Sequence, residues 1–215
     1  WTYSLAGPAR WLSAHGLSVL LADYRVHFPM VTELPFSLFV AAGVDQGASW
    51  LSLALFLCGA AAAASCAPAG TRGWAFFLVM ASAGAAGASF AKSDGAVAGF
   101  VLLAFAFVLG KGRLLPAAVL AGLALSAKYS APVAVAWVVA AAALAGRRPR
   151  AAHLAMLLVV PVPWAAKSWL LTGDPSYPVL GSRFPELVPG WDERVAEAWR
   201  AWSHPEPATR WAGSA

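Results

Sequence analysis

The fold of this chain is decided by residues 93–150, which read SDGAVAGFVLLAFAFVLGKGRLLPAAVLAGLALSAKYSAPVAVAWVVAAAALAGRRPR. Three charge-poor apolar blocks, at about 95–110, 114–127 and 130–146, are separated only by short polar connections. The blocks are near the length that crosses roughly 30 Å of hydrocarbon, the middle one being the shortest. The pattern predicts consecutive transmembrane helices.

Similar blocks extend this pattern in both directions, at about 47–66, 74–91 and 151–171. Over the whole chain 60% of the residues are hydrophobic and 12% are charged, against roughly 25% charged in a soluble domain. A soluble globular protein is therefore excluded. Glycine, alanine and serine recur inside the blocks, and small residues let helices pack closely in lipid. We predict an all-α membrane protein with about six transmembrane helices.

The charges in the connections predict the orientation of these helices. One set of alternate loops holds six basic residues and no acidic residue: Arg72, Lys111, Arg113, Arg147, Arg148 and Arg150. All ten acidic residues fall on the opposite side. Short loops rich in lysine and arginine face the cytoplasm. We therefore expect residues 1–46 and 174–215 to be extracytoplasmic segments on either side of a membrane bundle at 47–173.

The outer segments contain two candidate interfacial helices. Residues 35–43, PFSLFVAAG, are apolar but too few to span the bilayer, which is typical of an interfacial or re-entrant helix. Residues 191–202, WDERVAEAWRAW, place aromatic residues near one face at helical spacing. We expect this second helix to rest on the membrane or to cover a site.

Other features of the composition exclude some classes of partner. The net charge is +5, but the basic residues lie between apolar blocks, so membrane topology explains them better than nucleic acid does. Cys58 and Cys66 are eight residues apart on one predicted helix, which is too far for a disulfide. We expect both to be small apolar packing residues. Because the chain begins at Trp1 without a signal sequence, we expect it to be an internal piece of a longer protein.

Candidate functional residues are polar groups at the predicted outer ends of the spans. Asp94, in SFAKSDGAVAGF, is either a helix N-terminal cap or a carboxylate that lines an outer site as a metal ligand or charge partner. Lys128, followed by Tyr129, either extends its ammonium to the interface or binds a lipid phosphate. Lys167, in PWAAKSWLLTGDPSYP, has the same two interpretations.

Three further polar residues carry weaker signals. His27 and Glu33, in HFPMVTELP, are either a site pair or ordinary polar loop residues. His153 lies at a predicted cytoplasmic helix start, where a structural role is expected.

Taken in order, YSLAGPARWL, HFPMVTELPF, AKSDGAVAGF, GLALSAKYSAP and PWAAKSWLLTGDPSYP resemble bacterial integral-membrane glycosyltransferases of the GT-C fold. The resemblance covers about residues 3–182 and is greatest to the polyprenyl-phosphate-sugar-dependent group that includes aminoarabinose and mannosyl transferases. It implies that Asp94 matches an acidic position opening a span on the outer side. The family's first catalytic aspartate would precede Trp1, and its Lys-Asn and Gly-Asn-Pro motifs read Lys167–Ser168 and Gly173–Asp174–Pro175 here.

The resemblance also implies a reaction and a location. The donor is a sugar on a long isoprenoid phosphate, the acceptor is a glycan, lipid or protein, and the reaction takes place at the outer face of the bacterial inner membrane. A carboxylate removes the proton of the attacking acceptor group. A divalent cation, with Asp94 as its candidate ligand, or basic side chains offset the charge of the leaving phosphate.

Two other functions stay open from the sequence. Intramembrane charges such as Asp94 and Lys128 also suit a transporter or flippase subunit, although no internal repeat is visible in the sequence. A third alternative is a membrane scaffold or homologue without activity.

Overall fold

The computed structural model describes residues 3–15, 31–81, 93–177, 179–188 and 191–203. Within these ranges all regular secondary structure is helical, which confirms the predicted all-α class. The described residues before Ala165 form one compact unit, and those from Ala165 onward form a second.

The first unit contains most of the helices. In chain order they are α1 (Tyr3–Ser13), α2 (Glu33–Ala41), α3 (Gln46–Ser65), α4 (Arg72–Ala81), α5 (Ser93–Ala106), α6 (Leu114–Leu125), α7 (Ala131–Leu144) and α8 (Ala151–Val159). A π-helical turn, Phe107–Lys111, continues α5 and ends at Gly112, whose φ of 60° suits a residue without a Cβ. The helix predicted at 35–43 is α2, which begins two residues earlier. The chain then runs through α9 (Val162–Thr172) into the second unit, with α10 (Val179–Arg183) and α11 (Glu193–Ser203).

Two described helices are long and apolar enough to cross a membrane by themselves. They are α3, with 20 residues, and the 18-residue Ser93–Gly110, which includes α5. The helices α6 and α7 are apolar but shorter, and α8 and α9 make a third candidate only if the pair counts as one bent span. The structure therefore confirms a helical protein with two or three candidate spans.

The block at 151–171, predicted as one span, is divided into two helices. The helix α8 ends at Val159 and α9 begins at Val162. Pro161 lies in the break, and a proline has no amide hydrogen to continue the helical hydrogen bonds and clashes with the preceding turn. The prediction of a single continuous helix here was wrong. It relied on hydropathy averaged over the block, and that average does not show that Pro161 lacks an amide hydrogen.

The largest core cluster of the first unit buries small residues, while many large apolar side chains of the unit are exposed. This cluster consists of alanine and valine side chains from α5, the π-helical turn that continues it, α6 and α7: Val101, Ala104, Val108, Ala117, Ala121, Ala124, Ala131, Val135, Val138 and Ala142. Large side chains such as Trp50, Trp74, Trp137 and Leu144 point outward and are 66–89% exposed. In water the large side chains would be buried first. The reverse arrangement suits helices that pack through small residues inside lipid.

The helices α3 and α5 run parallel to each other. Leu55 and Gly59 in α3 lie beside Gly99 and Leu102 in α5, and further along both helices Cys66 lies 3.7 Å from the Ala106 carbonyl oxygen. A Cβ on Gly59 would be 2.7 Å from the Gly99 carbonyl oxygen, so only glycine permits this approach. Because parallel neighbours begin at the same end, the chain between them returns to that end before Ser93.

The second unit has a small core of its own. It is formed by Tyr177, Val188 and Val195, with Leu180 and Trp191 packed against them. The rings of Tyr177 and Trp191 meet edge to face at 6.0 Å. Val195 lies in α11, which confirms that the predicted tail helix exists and that one of its apolar residues faces this core.

Candidate functional site

An ion pair joins the two strongest candidates from the sequence. The Lys128 ammonium donates a hydrogen bond to Oδ1 of Asp94, across 34 residues of sequence. Asp94 lies in the first turn of α5, and Lys128 lies just after α6, which runs antiparallel to α5 and so ends where α5 begins. The Asp94 side chain is 46% exposed and the Lys128 side chain is 30% exposed, so solvent reaches both charges.

This contact relates the two residues to each other. Within the described residues the partner of the Asp94 carboxylate is the Lys128 ammonium, not a backbone amide of its own helix. Asp94 and Lys128 are thus charge partners of each other, and their predicted roles in a substrate site stay predictions. Such a pair leaves the remaining ammonium hydrogens and Oδ2 available to a ligand.

Glu33 reaches the same end of the first unit. The Val31 amide donates to the Ser126 carbonyl oxygen at 3.0 Å, which fixes the start of α2 beside the segment that carries Lys128. Glu33 is only 1% exposed, and its Oε2 accepts a hydrogen bond from the Thr32 hydroxyl at 2.7 Å. The structure thus brings Glu33, Asp94 and Lys128 to one end of the first unit. Thr32 and Ser126 carried no signal in the sequence.

An apolar cleft of about 600 Å³ adjoins the ion pair. It is lined by Phe56, Leu78, Val79, Asp94, Val97, Ala98, Val101, Leu102, Ser130, Ala131 and Ala134. Its polar lining residues, Asp94 and Ser130, lie at the starts of α5 and α7, so polarity is confined to the end with the ion pair. The rest of the cleft suits a hydrocarbon chain, and its polar end suits a charged head group.

The lining of this cleft was missed by the sequence analysis, although part of it leaves a signal. Asp94, Val97, Ala98, Val101 and Leu102 recur at the spacing of one helical face. That face could have been identified beside the carboxylate. Phe56 and Leu78 come from other helices, and their part in the cleft depends on how those helices pack.

The remaining predicted site residues lie elsewhere or outside the described ranges. Tyr129 is half-buried in the turn between α6 and α7. Lys167 is half-buried in the part of α9 that belongs to the second unit. His27 lies outside the described residues. His153 has the structural role expected of it, since its Nδ1 accepts a hydrogen bond from the Arg150 amide at 2.8 Å and caps α8.

Asp174, which stands in the Gly-Asp-Pro motif, organises the turn after α9. Its Oδ1 accepts hydrogen bonds from the Ser176 amide and hydroxyl at 2.7 and 2.9 Å. Its Oδ2 accepts one from the Gly181 amide at 3.1 Å, and the residue is completely buried. Each of these three donors needs an acceptor oxygen. The Asp174 carboxylate supplies them and thereby holds the loop in its conformation. Ser168 supports the same turn, because its carbonyl oxygen accepts from the Thr172 hydroxyl.

The described residues include Asp94, the candidate ligand of the divalent cation, and that cation stays a prediction. Among them no three histidine, cysteine, aspartate or glutamate side chains come together. The charge next to Asp94 is an ammonium, which occupies one oxygen that a metal would need. The cation beside Asp94 that is available to a phosphate is Lys128.

No family model, curated protein or solved structure matches this chain.

Proposed function

We propose that this protein transfers a sugar from a polyprenyl-phosphate donor to a glycan, lipid or protein acceptor at the outer face of the bacterial inner membrane. The observation that carries the proposal is the Asp94–Lys128 pair at the polar end of the apolar cleft. A donor of this class has a long hydrocarbon tail and an anionic head. The cleft offers an apolar wall to the tail, and Lys128, which is paired with the Asp94 that lines the cleft, offers an ammonium to the head.

The proposal includes six transmembrane crossings with the ion pair outside. The parallel course of α3 and α5 supports it, because the chain must cross once between them. The ion pair lies at the start of α5, whereas Arg113 and Arg147 lie at the other ends of α5 and α7. Opposite ends of the helices thus carry the acidic residue and the arginines, as the positive-inside rule expects.

In the proposed reaction the two members of the pair have separate roles. Lys128 binds the donor phosphate and offsets the charge that grows on it as the bond from the anomeric carbon to phosphate oxygen breaks. The acceptor hydroxyl or amine forms the new bond to that carbon and gives its proton to the carboxylate of Asp94. The bond electrons leave with the polyprenyl phosphate. Lys167, Tyr129, Glu33 and His27 are proposed as further substrate-binding residues.

Sugar transfer in membranes from a polyprenyl-phosphate-linked donor tests the role of Asp94. Asp94→Asn keeps the shape and one acceptor oxygen but removes the charge, so we expect activity to fall roughly 100-fold or more at equal protein level. Asp45→Asn is the matched control, since Asp45 is a half-buried carboxylate at the start of α3. Activity of Asp94→Asn within a few-fold of the parent would remove Asp94 from the reaction.

Measuring donor affinity tests the phosphate-binding role of the two lysines separately from the sugar-transfer step. A lost contact to a charged group typically costs about 1.5–3 kcal/mol, so Lys128→Ala and Lys167→Ala should each weaken donor binding about 10-fold or more. Arg72→Ala is the control, because it removes a cation at the predicted cytoplasmic end. Unchanged affinity in both lysine variants would contradict the phosphate-binding role. Movement of the intact donor across the bilayer without sugar transfer would favour the transporter alternative.

A further inference from the structure

The basic end of the first unit brings two arginine-bearing loops together. The loop after α5 carries Arg113, and the loop after α7 carries Arg147, Arg148 and Arg150. A Cβ on Gly112 would lie 2.6 Å from Cζ of Arg147, so the guanidinium rests directly on the backbone of the other loop. The four arginines are exposed and form one cationic surface.

This surface has no acidic neighbour in its own loops. Residues 107–114 and 145–154 contain no aspartate or glutamate. Within the described part of the chain, Arg113, Arg147 and Arg148 form no ion pair. Their charges are therefore available to an anion. Arginine suits phosphate in particular, because its planar guanidinium donates two parallel hydrogen bonds.

An apolar cavity of about 60 Å³ lies beside these arginines. Its wall includes Leu114, Val138, Ala142, Pro149 and Leu154. Leu114 directly follows Arg113, and Pro149 stands between Arg148 and Arg150, so the loops that carry the cations also form the cavity wall. The volume is several times the roughly 10–15 Å³ that one water needs, and the exposed lining is almost entirely apolar. A hydrocarbon segment suits it better than solvent.

We propose that this end of the protein binds an anionic phospholipid, with its phosphate on Arg113, Arg147 and Arg148 and part of one acyl chain in the cavity. The pairing of a cationic surface with an adjacent apolar cavity distinguishes this ligand from free phosphate, which has nothing to place in the cavity. Basic pockets between membrane helices bind anionic head groups by the same electrostatics. The site lies at the opposite end of α5 from Asp94 and does not depend on the proposed transferase activity.

Native mass spectrometry of the full-length protein in a neutral detergent can test this proposal. Dioleoyl phosphatidylglycerol is the probe, with dioleoyl phosphatidylcholine and inorganic phosphate as comparisons. We expect one phosphatidylglycerol to bind more tightly than either comparison. The triple variant Arg113→Gln, Arg147→Gln, Arg148→Gln should weaken its binding roughly 100-fold, since each charge near an anionic lipid contributes several-fold. Arg72→Gln, an exposed arginine outside the cavity loops, should bind as the parent does.

A second variant tests the cavity independently of charge. Ala118 lines the cavity and is half-buried, so Ala118→Leu fills part of it while leaving every arginine in place. We expect phosphatidylglycerol binding to weaken roughly 10-fold, the equivalent of about two methylene groups returned to solvent. Equal binding of the two lipids, or unchanged phosphatidylglycerol binding in Ala118→Leu, would overturn the proposal. If inorganic phosphate bound as tightly as phosphatidylglycerol, the surface would be a simple anion site, and this result would also overturn the proposal.

Discussion

Gly99 lies against the backbone of Leu55, so that a Cβ on Gly99 would be 2.4 Å from the Leu55 carbonyl oxygen. This contact sets the separation of α3 and α5, the two described helices that are long enough to cross a membrane. The cleft beside Asp94 takes its lining from both helices, with Phe56 from α3 and Val101 from α5. The glycine is therefore a condition for the shape of the candidate site.

Gly99→Ala should destabilise the protein by about 1–3 kcal/mol, because the added methyl group forces the two backbones apart. The sign of this change in unfolding free energy is informative, because replacing glycine by alanine inside a helix normally stabilises it by about 1 kcal/mol. Thermal unfolding in detergent measures the effect. Gly73→Ala is the control, as nothing lies within 4 Å of a Cβ there. Equal or greater stability of Gly99→Ala would contradict the close approach of α3 and α5.

Lys128→Ala should cost at most about 1 kcal/mol of stability, because ion pairs that solvent reaches contribute little. Both partners are partly exposed, so water solvates Asp94 once the ammonium is gone. Denaturation of parent and variant in the same detergent checks this. A much larger loss would make the pair a folding element, and a loss of activity in Lys128→Ala could then no longer be attributed to the donor phosphate.

Asp174→Asn should destabilise the second unit by about 1–3 kcal/mol. An asparagine retains one acceptor oxygen for Ser176, but its amide group would face the Gly181 amide, leaving a buried donor without an acceptor. Hydrogen exchange at the Gly181 amide, compared between parent and variant, reports the loss directly. Ser176→Ala is the milder control, since it removes only the hydroxyl contact to Oδ1. Unchanged protection of Gly181 in Asp174→Asn would show that the carboxylate is not needed for this turn.

The second unit should lose stability at alkaline pH. Burial of the phenol, and then the negative charges of Asp192 and Asp174, raise the pKa of Tyr177 from 10.0 to about 12. The folded state keeps its proton while the unfolded state loses it, so stability is fully present below about pH 10 and is lost as pH rises toward 12.

At about 1.4 kcal/mol for each pKa unit, this loss amounts to about 2–3 kcal/mol. Tyrosinate absorbance measured against Tyr177→Phe gives the titration, and unfolding at several pH values gives the stability. Tyr177→Phe should show a shallower decline above pH 10. An ordinary pKa for Tyr177 would contradict the enclosed position of its ring.

Impermeant thiol labelling in intact cells tests the orientation. In a protein with Cys58 and Cys66 replaced, a cysteine at position 94 should label from outside, whereas one at position 148 should label only after the membrane is opened. The expectation rests on arginines and the acidic residue lying at opposite ends of the helices. The reverse pattern would invert the topology and place the ion pair on the wrong side for an outer-face reaction.

The sequence by itself determined the all-helical class, the apolar blocks that supply two or three candidate membrane spans, and the grouping of charges at the two helix ends. The fold class and the grouping of charges both depend on local properties, because the hydrophobicity and charge of each block can be determined from its own residues. Asp94, Lys128 and Glu33 could likewise be selected as unusual polar residues at the ends of apolar blocks. Where hydropathy averages over a local backbone effect, as at Pro161, even the element boundaries were wrong.

Only the tertiary structure decided what these residues touch. Asp94 and Lys128 meet because α5 and α6 run antiparallel with closely packed alanine faces, a relation across 34 residues that no local pattern encodes. The cleft needs side chains from separate helices at a spacing that Gly99 permits. Asp174 closes its loop because its carboxylate accepts a hydrogen bond from the Gly181 amide, seven residues further along the chain. In each case the deciding quantity is a distance between segments remote in sequence, and packing alone fixes that distance.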